Sequence, residues 1–315
     1  MPEPSPSPKR RGRLLRRGAA FMVLLAVAGY LAVQYVTGGT GTPGCDVVSG
    51  KGDGAGYEFT PEQAVNAATI AAVGTGRGLP ERAVTIALAT ALQESGLRNI
   101  GHGDRDSLGL FQQRPSMGWG TEEEILDPIY SAGEFYEHLV KVPGYTRLPL
   151  TVAAQRVQRS GFPEAYAKHE PDASLLAAAL TGRSAATLTC EGRPGATRAA
   201  GADSVRDALL RDFGRDALQP AAAEVGGEKA TPSPTPSVIK KDDRTVLLPV
   251  PAGERGWQLA HWAVANASDL HIKRVSYAGR QWTAGNTDSE WRAITGPGAP
   301  EAGNGAGAVR IVTGP

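Results

Sequence analysis

Glu94 is the residue whose type and position in the sequence could carry acid–base chemistry. From Ala83 to Gln93 a helical stretch carries no charge, and a carboxylate then stands at its last turn. Glu94 lies three and seven residues after Ala91 and Ala87, so it shares their small, apolar face. Partial desolvation and the negative end of the helix dipole both disfavour its ionised form. The sequence therefore predicts a glutamic acid that keeps its proton near neutral pH and could protonate a leaving oxygen.

A second group of polar and glycine residues follows Glu94 at short range. Residues 95–96 read Ser-Gly, and residues 107–113 read Ser-Leu-Gly-Leu-Phe-Gln-Gln. Gly109 would allow the backbone to approach a ligand closely, and Gln112 offers both a donor and an acceptor to hydroxyl or amide groups. The residues alone leave two alternatives open, namely a hairpin glycine at Gly109 and a solvated helix-end glutamate at Glu94.

The combination of these two segments resembles the lytic transglycosylase and goose-type lysozyme superfamily over residues of about 57–180. That superfamily has a Glu-Ser pair at a helix end and a Gly-Leu-x-Gln segment shortly after it. The resemblance implies a lysozyme-like domain that cleaves the glycan strands of peptidoglycan with Glu94 as the catalytic acid. It also implies that the substrate contacts Ser95, Ser107, Gly109 and Gln112.

The chain departs from that superfamily in its third motif, Ala-Tyr-Asn-x-Gly. At the expected place, residues 154–163 read Ala-Gln-Arg-Val-Gln-Arg-Ser-Gly-Phe-Pro, which is similar to a Val-Gln-x-Ser pattern of actinobacterial and phage lysins. Gln158 is the candidate to supply the amide in place of the asparagine. Trp119, between two glycines, is the candidate for a surface on which a sugar ring stacks. This departure bears more on the residues predicted to bind the sugar than on the prediction that Glu94 is the acid.

Asp104 and Asp106 are the candidates for a second carboxylate, since a lysozyme would place its second acid in this loop. Inverting glycosidases need the two carboxyl groups about 6.5–9.5 Å apart and retaining ones about 5–5.5 Å apart. Lytic transglycosylases need only one acid, because a hydroxyl of the sugar itself attacks and yields an anhydro product. We favour turn-forming roles for both aspartates, which leaves hydrolysis and anhydro-forming cleavage both open.

Several other classes of site find no support in the sequence. The 5 histidines show no metal-ligand spacing, so we expect neither a metal nor another cofactor. No glycine-rich phosphate loop follows a strand, and no basic patch interleaved with aromatic residues indicates nucleic acid. The formal net charge of +1 gives no reason to expect a polyanionic partner.

The N-terminal segment predicts a membrane anchor. Residues 18–36 carry no charge and are just long enough to span a bilayer. Basic residues in the preceding tail, 1–17, would keep it cytoplasmic and place everything downstream outside the membrane. The alternative is a cleaved signal peptide and a secreted protein. The basic residues of the tail are Lys9, Arg10, Arg11, Arg13, Arg16 and Arg17.

Cys45 and Cys190 are the two cysteines of the chain, and in an exported protein they predict a disulfide. Closing so long a loop would stabilise the fold by roughly 5 kcal/mol in the chain-entropy model. A lipid-bearing cysteine at Cys45 is the alternative, but the residues before it lack the expected leucine. The pair would mark a first domain of about 45–190.

Helix signals around these sites predict the elements that position them. Thr60-Pro61-Glu62-Gln63 and Thr121-Glu122-Glu123-Glu124 read as capping boxes, the second one leading a helix as far as Leu139. Pro80 and Gly96 would bound the helix of Glu94, and two further helices are expected over 150–160 and 163–181. A small hairpin is expected between Arg98 and Pro115. These elements predict an α+β, mainly helical, lysozyme-like domain.

Composition divides the rest of the chain. We expect a tether over 37–56, the lysozyme-like domain over 57–190, a helix and disordered linker over 191–244, and a small α/β module over 245–315. The module resembles a domain appended to actinobacterial cell-wall hydrolases. Arg280 and Trp282 are its candidates for a binding surface, the alternative for Trp282 being a position in the core.

Two functional hypotheses follow from the sequence. The first is an enzyme that cleaves peptidoglycan outside the membrane, with Glu94 as general acid and base. The second is a non-enzymatic peptidoglycan-binding or scaffolding protein that keeps the lysozyme-like fold, which the altered third motif favours.

Overall fold

The computed structural model describes residues 44–192, 201–214, 244–250, 253–285, 290–295 and 307–314. The basic tail, the anchor expected over 18–36 and most of the expected linker lie outside these ranges. Within them, no helix combines the length and the apolar character needed to cross a membrane. The chain divides into two units, Met1–Thr42 and Pro43–Pro315, and every described residue belongs to the second.

Six α-helices form the described part of the predicted lysozyme-like domain. They are α1 (Pro61–Gly76), α2 (Glu81–Ser95), α3 (Glu122–Ile125), α4 (Pro128–Val140), α5 (Leu150–Gln158) and α6 (Glu170–Leu180). Two 3₁₀ segments, Pro115–Met117 and Pro163–His169, lie between them. Helix α2 packs against α6, and α1 packs against α2 and α4. The helix that carries Glu94 therefore lies at the centre of the group.

The helix starts expected from capping residues are confirmed. The Thr60 side chain accepts a hydrogen bond from the backbone N–H of Gln63, whose own side chain accepts from the N–H of Thr60. Thr121 and Glu124 form the same reciprocal pair before α3. Each box satisfies N–H groups that a helix start leaves without partners, and so fixes where the helix begins.

Two helices expected to be continuous are broken, in both cases at a proline. The helix that starts after Thr121 ends at Ile125, and Asp127 then caps a new helix that begins with Pro128. The helix expected over 163–181 is a 3₁₀ segment followed by α6, with Pro171 in the first turn of α6. Proline has no backbone N–H to donate to a carbonyl of the preceding helical turn. It is therefore tolerated in the first turn of a helix, where that N–H would have no partner.

Small residues let the helices approach one another closely. A Cβ at Gly74 of α1 would lie 2.6 Å from the hydroxyl oxygen of Tyr136, which is fully buried on α4. The Tyr136 hydroxyl donates a hydrogen bond of 3.0 Å to the Ile70 carbonyl. A glycine is thus required at residue 74 for the contact between α1 and α4.

A three-stranded antiparallel sheet closes the first domain. Its strands are β1 (Cys45–Val48), β2 (Gly56–Phe59) and β3 (Leu188–Cys190), in the order β2-β1-β3. Cys45 and Cys190 are direct neighbours across β1 and β3 and form a disulfide, as predicted. The tether expected over 37–56 is therefore wrong from Cys45 onward, because β1 pairs on both sides. Residues 45–56 therefore belong to the folded unit.

The C-terminal part folds into helices and a second sheet. Helix α7 (Ala202–Phe213) precedes a five-stranded antiparallel sheet, in the order β4-β8-β5-β6-β7, which packs against helix α8 (Glu254–Ala265). The strands are β4 (Thr245–Pro249), β5 (Ile272–Tyr277), β6 (Arg280–Thr283), β7 (Arg292–Ala293) and β8 (Ala308–Thr313). The predicted fold class is confirmed as an α+β, mainly helical chain with a small C-terminal module.

Indole groups join the C-terminal module to the rest of the unit. Trp262 Nε1 donates to the Asp212 carboxylate of α7 at 2.8 Å, Trp282 Nε1 to the Cys190 carbonyl at 3.1 Å, and Trp291 Nε1 to the Leu188 carbonyl at 2.9 Å. All three rings are buried. Trp282 is thus a core residue, which was the alternative expected for it. Its candidate role in a binding surface is wrong.

Helix α8 makes the closest contact in this junction. His261 is fully buried, and its Nδ1 lies 2.8 Å from the Ala179 carbonyl of α6 while its Nε2 accepts from the Thr187 N–H at 3.2 Å. A Cβ at Gly182 would overlap the Glu254 carbonyl oxygen in the first turn of α8. The module is therefore packed tightly against the end of α6.

Candidate active site

The turn that follows Glu94 is held in place by helix α1. Glu94 lies in the last turn of α2, and Gly96 ends that helix in the left-handed conformation at φ +64°. The Gln63 side-chain amide donates to the Gly96 carbonyl at 2.8 Å, and the Asn66 amide donates to the Leu97 carbonyl at 2.8 Å. These two bonds satisfy carbonyls at the end of α2 and fix the direction of the chain after Glu94.

The Glu94 carboxyl group is half-buried and has two side-chain partners. The Tyr166 hydroxyl donates to Glu94 Oε1 at 2.6 Å, and the Gln158 side chain also forms a hydrogen bond with the carboxyl group. Burial raises the pKa of Glu94 above its ordinary value, and the two hydrogen bonds oppose that rise. Desolvation thus raises the pKa of Glu94, and the hydrogen bonds from Tyr166 and Gln158 limit that rise.

Tyr166 remains a hydrogen-bond donor at any ordinary pH. Its ring is fully buried within the 3₁₀ segment, and burial together with the neighbouring Glu94 charge raises the pKa of its phenol far above the usual value. Ser160 also forms a hydrogen bond with the Tyr166 oxygen. Ser160 thus lies beside the Tyr166 hydroxyl that donates to Glu94.

Ser95 fastens the following loop to the helix of Glu94. Its hydroxyl is buried and donates to the Leu110 carbonyl at 2.8 Å, and it accepts from the Arg98 N–H at 3.2 Å. The structure places Ser95 inside the protein, where it positions the loop. The expected direct contact of Ser95 with substrate therefore has no exposed surface to support it.

The 107–113 segment is the small hairpin expected from the sequence. Leu108 and Gln113 pair as an isolated antiparallel bridge. Gly109 is buried at φ +74°, and a Cβ there would lie 2.7 Å from the Ile125 carbonyl oxygen. Gly109 is therefore a hairpin glycine that packs against α3, and the close approach it permits is to this protein backbone.

Two further predicted residues of this hairpin lie around Gly109. Ser107 is buried, and its N–H donates to the Asp104 carbonyl at 3.1 Å. Gln112 is half-buried at φ +48°, and its amide lies 3.3 Å from the Gly109 carbonyl. Of the predicted hairpin residues, Gln112 keeps the most surface for a ligand.

Gln158 links helix α5 to both the hairpin and the acid. Its Nε2 donates to the Phe111 carbonyl at 2.7 Å, and the Phe111 ring stacks on Phe135 with centroids 4.7 Å apart. Through its contact with Glu94, Gln158 thus joins three parts of the site. The structure brings Gln158 next to Glu94, and part of its amide is used within the protein.

The two aspartates of the loop have structural partners or face solvent. Asp104 is exposed, and its carbonyl closes the turn to Ser107. Asp106 accepts from Arg114 Nε at 2.7 Å and from the Ser116 N–H at 2.9 Å. Hydrogen bonds from Ser116 and Arg114 hold the pKa of Asp106 well below its usual range. These contacts support the turn-forming interpretation of both residues.

Trp119 is half-buried, and its ring meets the His138 ring edge-on with centroids 4.2 Å apart. The rest of its surface stays available, so it remains a candidate for stacking on a sugar. Among the described residues, no group of three or more histidine, cysteine, aspartate or glutamate side chains could hold a metal ion.

The sequence reasoning missed Tyr166, Ser160 and Phe162. Phe162 is 78% exposed, with its N–H bound to the Ser160 hydroxyl at 3.1 Å. Tyr166 lies 72 residues from Glu94 in the chain. No charge pattern or spacing identifies it; the aromatic residue Phe162 directly before a proline is the signal that could have directed attention to this segment.

The C-terminal part of the chain is similar to a known family. The family described as VldE, C-terminal domain, matches residues 247–304. No curated protein matches the chain. The matched region runs from within β4 through helix α8 to β7, and it includes neither strand β8 nor Glu94.

Proposed function

We propose that this protein cleaves the glycan strands of peptidoglycan outside the membrane, as a lytic transglycosylase or muramidase. The observation that carries the proposal is the environment of Glu94. It is a half-buried carboxyl group with a raised pKa at a helix end, and it is held by Tyr166 and Gln158 beside the hairpin. The resemblance of the Glu-Ser pair and the Gly-Leu-Phe-Gln segment to the lytic transglycosylase superfamily supports the same assignment.

Glu94 would act first as an acid and then as a base. In its protonated form it donates the proton to the glycosidic oxygen as the bond to the sugar breaks. The carboxylate that results then accepts a proton from the attacking hydroxyl, which belongs either to water or to the sugar itself. The hydrogen bonds from Tyr166 and Gln158 stabilise this carboxylate, so they favour loss of the proton in the first step and weaken the carboxylate as a base in the second.

The disulfide supports an extracytoplasmic location. Cys45 and Cys190 are both buried and bonded to each other, a state that persists in oxidising compartments. The uncharged segment 18–36 would tether the protein to the membrane with the folded unit outside. Its partners would then be peptidoglycan and the lipid bilayer.

The substitution Glu94→Gln tests the enzymatic role. It keeps the size of the side chain and removes the acid, so release of soluble fragments from purified sacculi should fall at least about 10²-fold. Glu123→Gln on the exposed face of α3 is the matched control and should retain full activity. Equal fragment release by Glu94→Gln and the unchanged protein would refute the assignment. Mass spectrometry of the fragments distinguishes anhydro ends from reducing ends.

A non-enzymatic peptidoglycan-binding or scaffolding role is the second candidate function. It is favoured by Gln158, whose amide binds the Phe111 carbonyl where the superfamily has an asparagine. A pull-down on purified sacculi, combined with analysis of the soluble fraction, separates the two candidates. Retention on sacculi with no soluble product from the unchanged protein would favour the scaffold.

A further inference from the structure

The outward face of the C-terminal sheet collects positive charge. One row of paired residues crosses all five strands: Leu247, Arg310, Ser276, Gln281 and Arg292. The neighbouring row includes Arg274, which pairs with Val312 and Thr283 on either side. Residues paired across strands point to the same side of a sheet, so the three arginines share one face.

Helix α8 covers the opposite face, so the arginine face is turned away from the core. Val275, Ile311 and Trp282 point toward α8 and are buried, whereas Arg274, Arg310 and Arg292 are exposed. Arg274 and Arg310 are diagonal neighbours, and residues in this relation lie about 7–8 Å apart. Within the described ranges, neither of these two side chains forms an ion pair with any residue.

The charged side chains within the five strands are all basic. The five strands contain no aspartate or glutamate, although the chain as a whole has 33 basic and 32 acidic residues. The small overall net charge therefore hides a local surplus of positive charge on this face. Arginine binds phosphate groups through its planar fork of N–H donors, so a face of this kind suits a partner with repeated phosphates.

We propose that this arginine face, formed by Arg274, Arg310 and Arg292, binds a linear phosphodiester polymer without bases, such as one carried by a cell wall. Side chains between the arginines are short and polar: Ser276, Gln281 and Thr283. Stacking of nucleic-acid bases needs aromatic side chains, and the strand aromatics Tyr277 and Trp282 are buried on the other side. Insertion into a bilayer needs a continuous surface of large apolar side chains, and on this face Leu247 and Val312 are half-buried and stand among polar and basic residues.

The polymer would lie across the strands, along the row from Arg310 to Arg292. These two residues are separated by three strand spacings, or about 14 Å. Such a span accommodates more than one phosphate of an extended chain. Binding of this kind does not depend on Glu94, so it would stand whether the protein cleaves peptidoglycan or only binds it.

The full chain carrying Arg274→Gln together with Arg310→Gln tests the proposal. The probe is linear inorganic polyphosphate, and binding is followed by fluorescence anisotropy over a range of salt concentrations. At about 0.1 M salt the affinity should fall roughly tenfold or more, and the slope of log K against log salt should decrease by about 1.4, because each lost phosphate contact removes about 0.7.

The matched control is Lys141→Gln together with Arg147→Gln, which removes two exposed positive charges from the helical domain. This control should keep its affinity for polyphosphate. Equal losses in both double variants would overturn the proposal, because they would show that only net charge matters. Unchanged unfolding midpoints, measured alongside, establish that neither variant is misfolded.

Phosphatidylglycerol vesicles and single-stranded DNA serve as competing ligands. The proposal expects polyphosphate to bind more tightly than either, with the difference lost in the Arg274→Gln, Arg310→Gln variant. Tighter binding to vesicles or to DNA that depends on the same arginines would overturn it in favour of a lipid or nucleic-acid surface. Fragment release from walls stripped of phosphate polymers should be the same for this variant and the unchanged protein, which separates this test from that of Glu94.

Discussion

Tyr166 donates a hydrogen bond of 2.6 Å to Glu94 Oε1 from a segment that lies 72 residues further along the chain. Three groups of residues meet around this bond, since Gln158 of α5 and the hairpin after α2 both adjoin it. Burial favours the neutral form of the carboxyl group, whereas the hydrogen bond from Tyr166 stabilises the ionised form.

Removal of the Tyr166 hydroxyl should shift the pH dependence of activity. Because this hydrogen bond lowers the pKa of Glu94, Tyr166→Phe should raise that pKa. The alkaline limb of kcat/KM, where the acid loses its proton, should therefore move to higher pH. Activity profiles from pH 4 to 9 measure the shift.

Tyr136→Phe is the control for that experiment. It deletes an equally buried hydroxyl that binds the Ile70 carbonyl, away from Glu94. It should lower the free energy of unfolding by about 1 kcal/mol and leave the pH profile in place. An alkaline limb that moves equally in both variants would contradict the assigned role of Tyr166.

Acid should weaken the junction between α8 and α6 through His261. Burial lowers the pKa of His261 to about 4, and its contacts with Ala179 and Thr187 suit only the neutral ring. Above about pH 6.5 the ring is neutral in both states and this stabilisation is complete. As the pH falls from there to about 4, the unfolded chain takes up a proton first, and up to about 3 kcal/mol is lost.

Denaturant unfolding at several pH values between 4 and 7.5 measures this loss. His261→Gln cannot take up the proton, so its stability should vary less over that interval, although it starts lower. His102→Gln, an exposed position in the loop after α2, should follow the unchanged protein. If the stability of His261→Gln kept the full pH dependence, groups other than His261 would be responsible for the loss of stability.

The disulfide should contribute much of the stability of the unit. Cys45 and Cys190 are 145 residues apart, so their bond removes about 5 kcal/mol of chain entropy from the unfolded state. The double substitution Cys45→Ser, Cys190→Ser should lower the free energy of unfolding by up to that amount. Reduction of the unchanged protein should give the same midpoint, and a midpoint that neither treatment alters would contradict the prediction.

Phe162 should affect substrate binding more than stability. It is 78% exposed, and its backbone is fixed by Ser160, which also contacts Tyr166 beside Glu94. If the glycan passes this segment, Phe162→Ala should raise KM several-fold and change the free energy of unfolding by less than about 0.5 kcal/mol. Val140→Ala, 48% exposed at the end of α4, is the matched control. Identical KM values for the two variants would place Phe162 outside the substrate path.

Local signals in the sequence were sufficient for the elements around the site. The capping residues Thr60 and Thr121, the glycine at the end of α2 and the disulfide were all predicted, because each depends on residues whose preferences are strong. The breaks before Pro128 and within 163–181 were missed because an apolar period continued through them.

Contacts between distant segments could not be predicted in the same way. The role of Tyr166 depends on how the 3₁₀ segment packs on α2, and neither pattern nor charge specifies that packing. Trp282 and Trp291 illustrate the same difficulty, since an indole can bind a ligand or fill a core equally well by type. Only their contacts with Cys190 and Leu188 assign them to the core.

Gly182 sets a limit on how this protein can be rearranged. Its Cα lies so close to the first turn of α8 that any larger side chain would overlap the Glu254 carbonyl. A chimera that joins the C-terminal module to a different hydrolase would need a glycine in the place of Gly182. It would also need hydrogen-bond acceptors for the Nε1 groups of Trp262, Trp282 and Trp291. The C-terminal module therefore depends on its contacts with the rest of the unit. A cut made between residues 193 and 244 would expose the contact surfaces of both fragments to solvent.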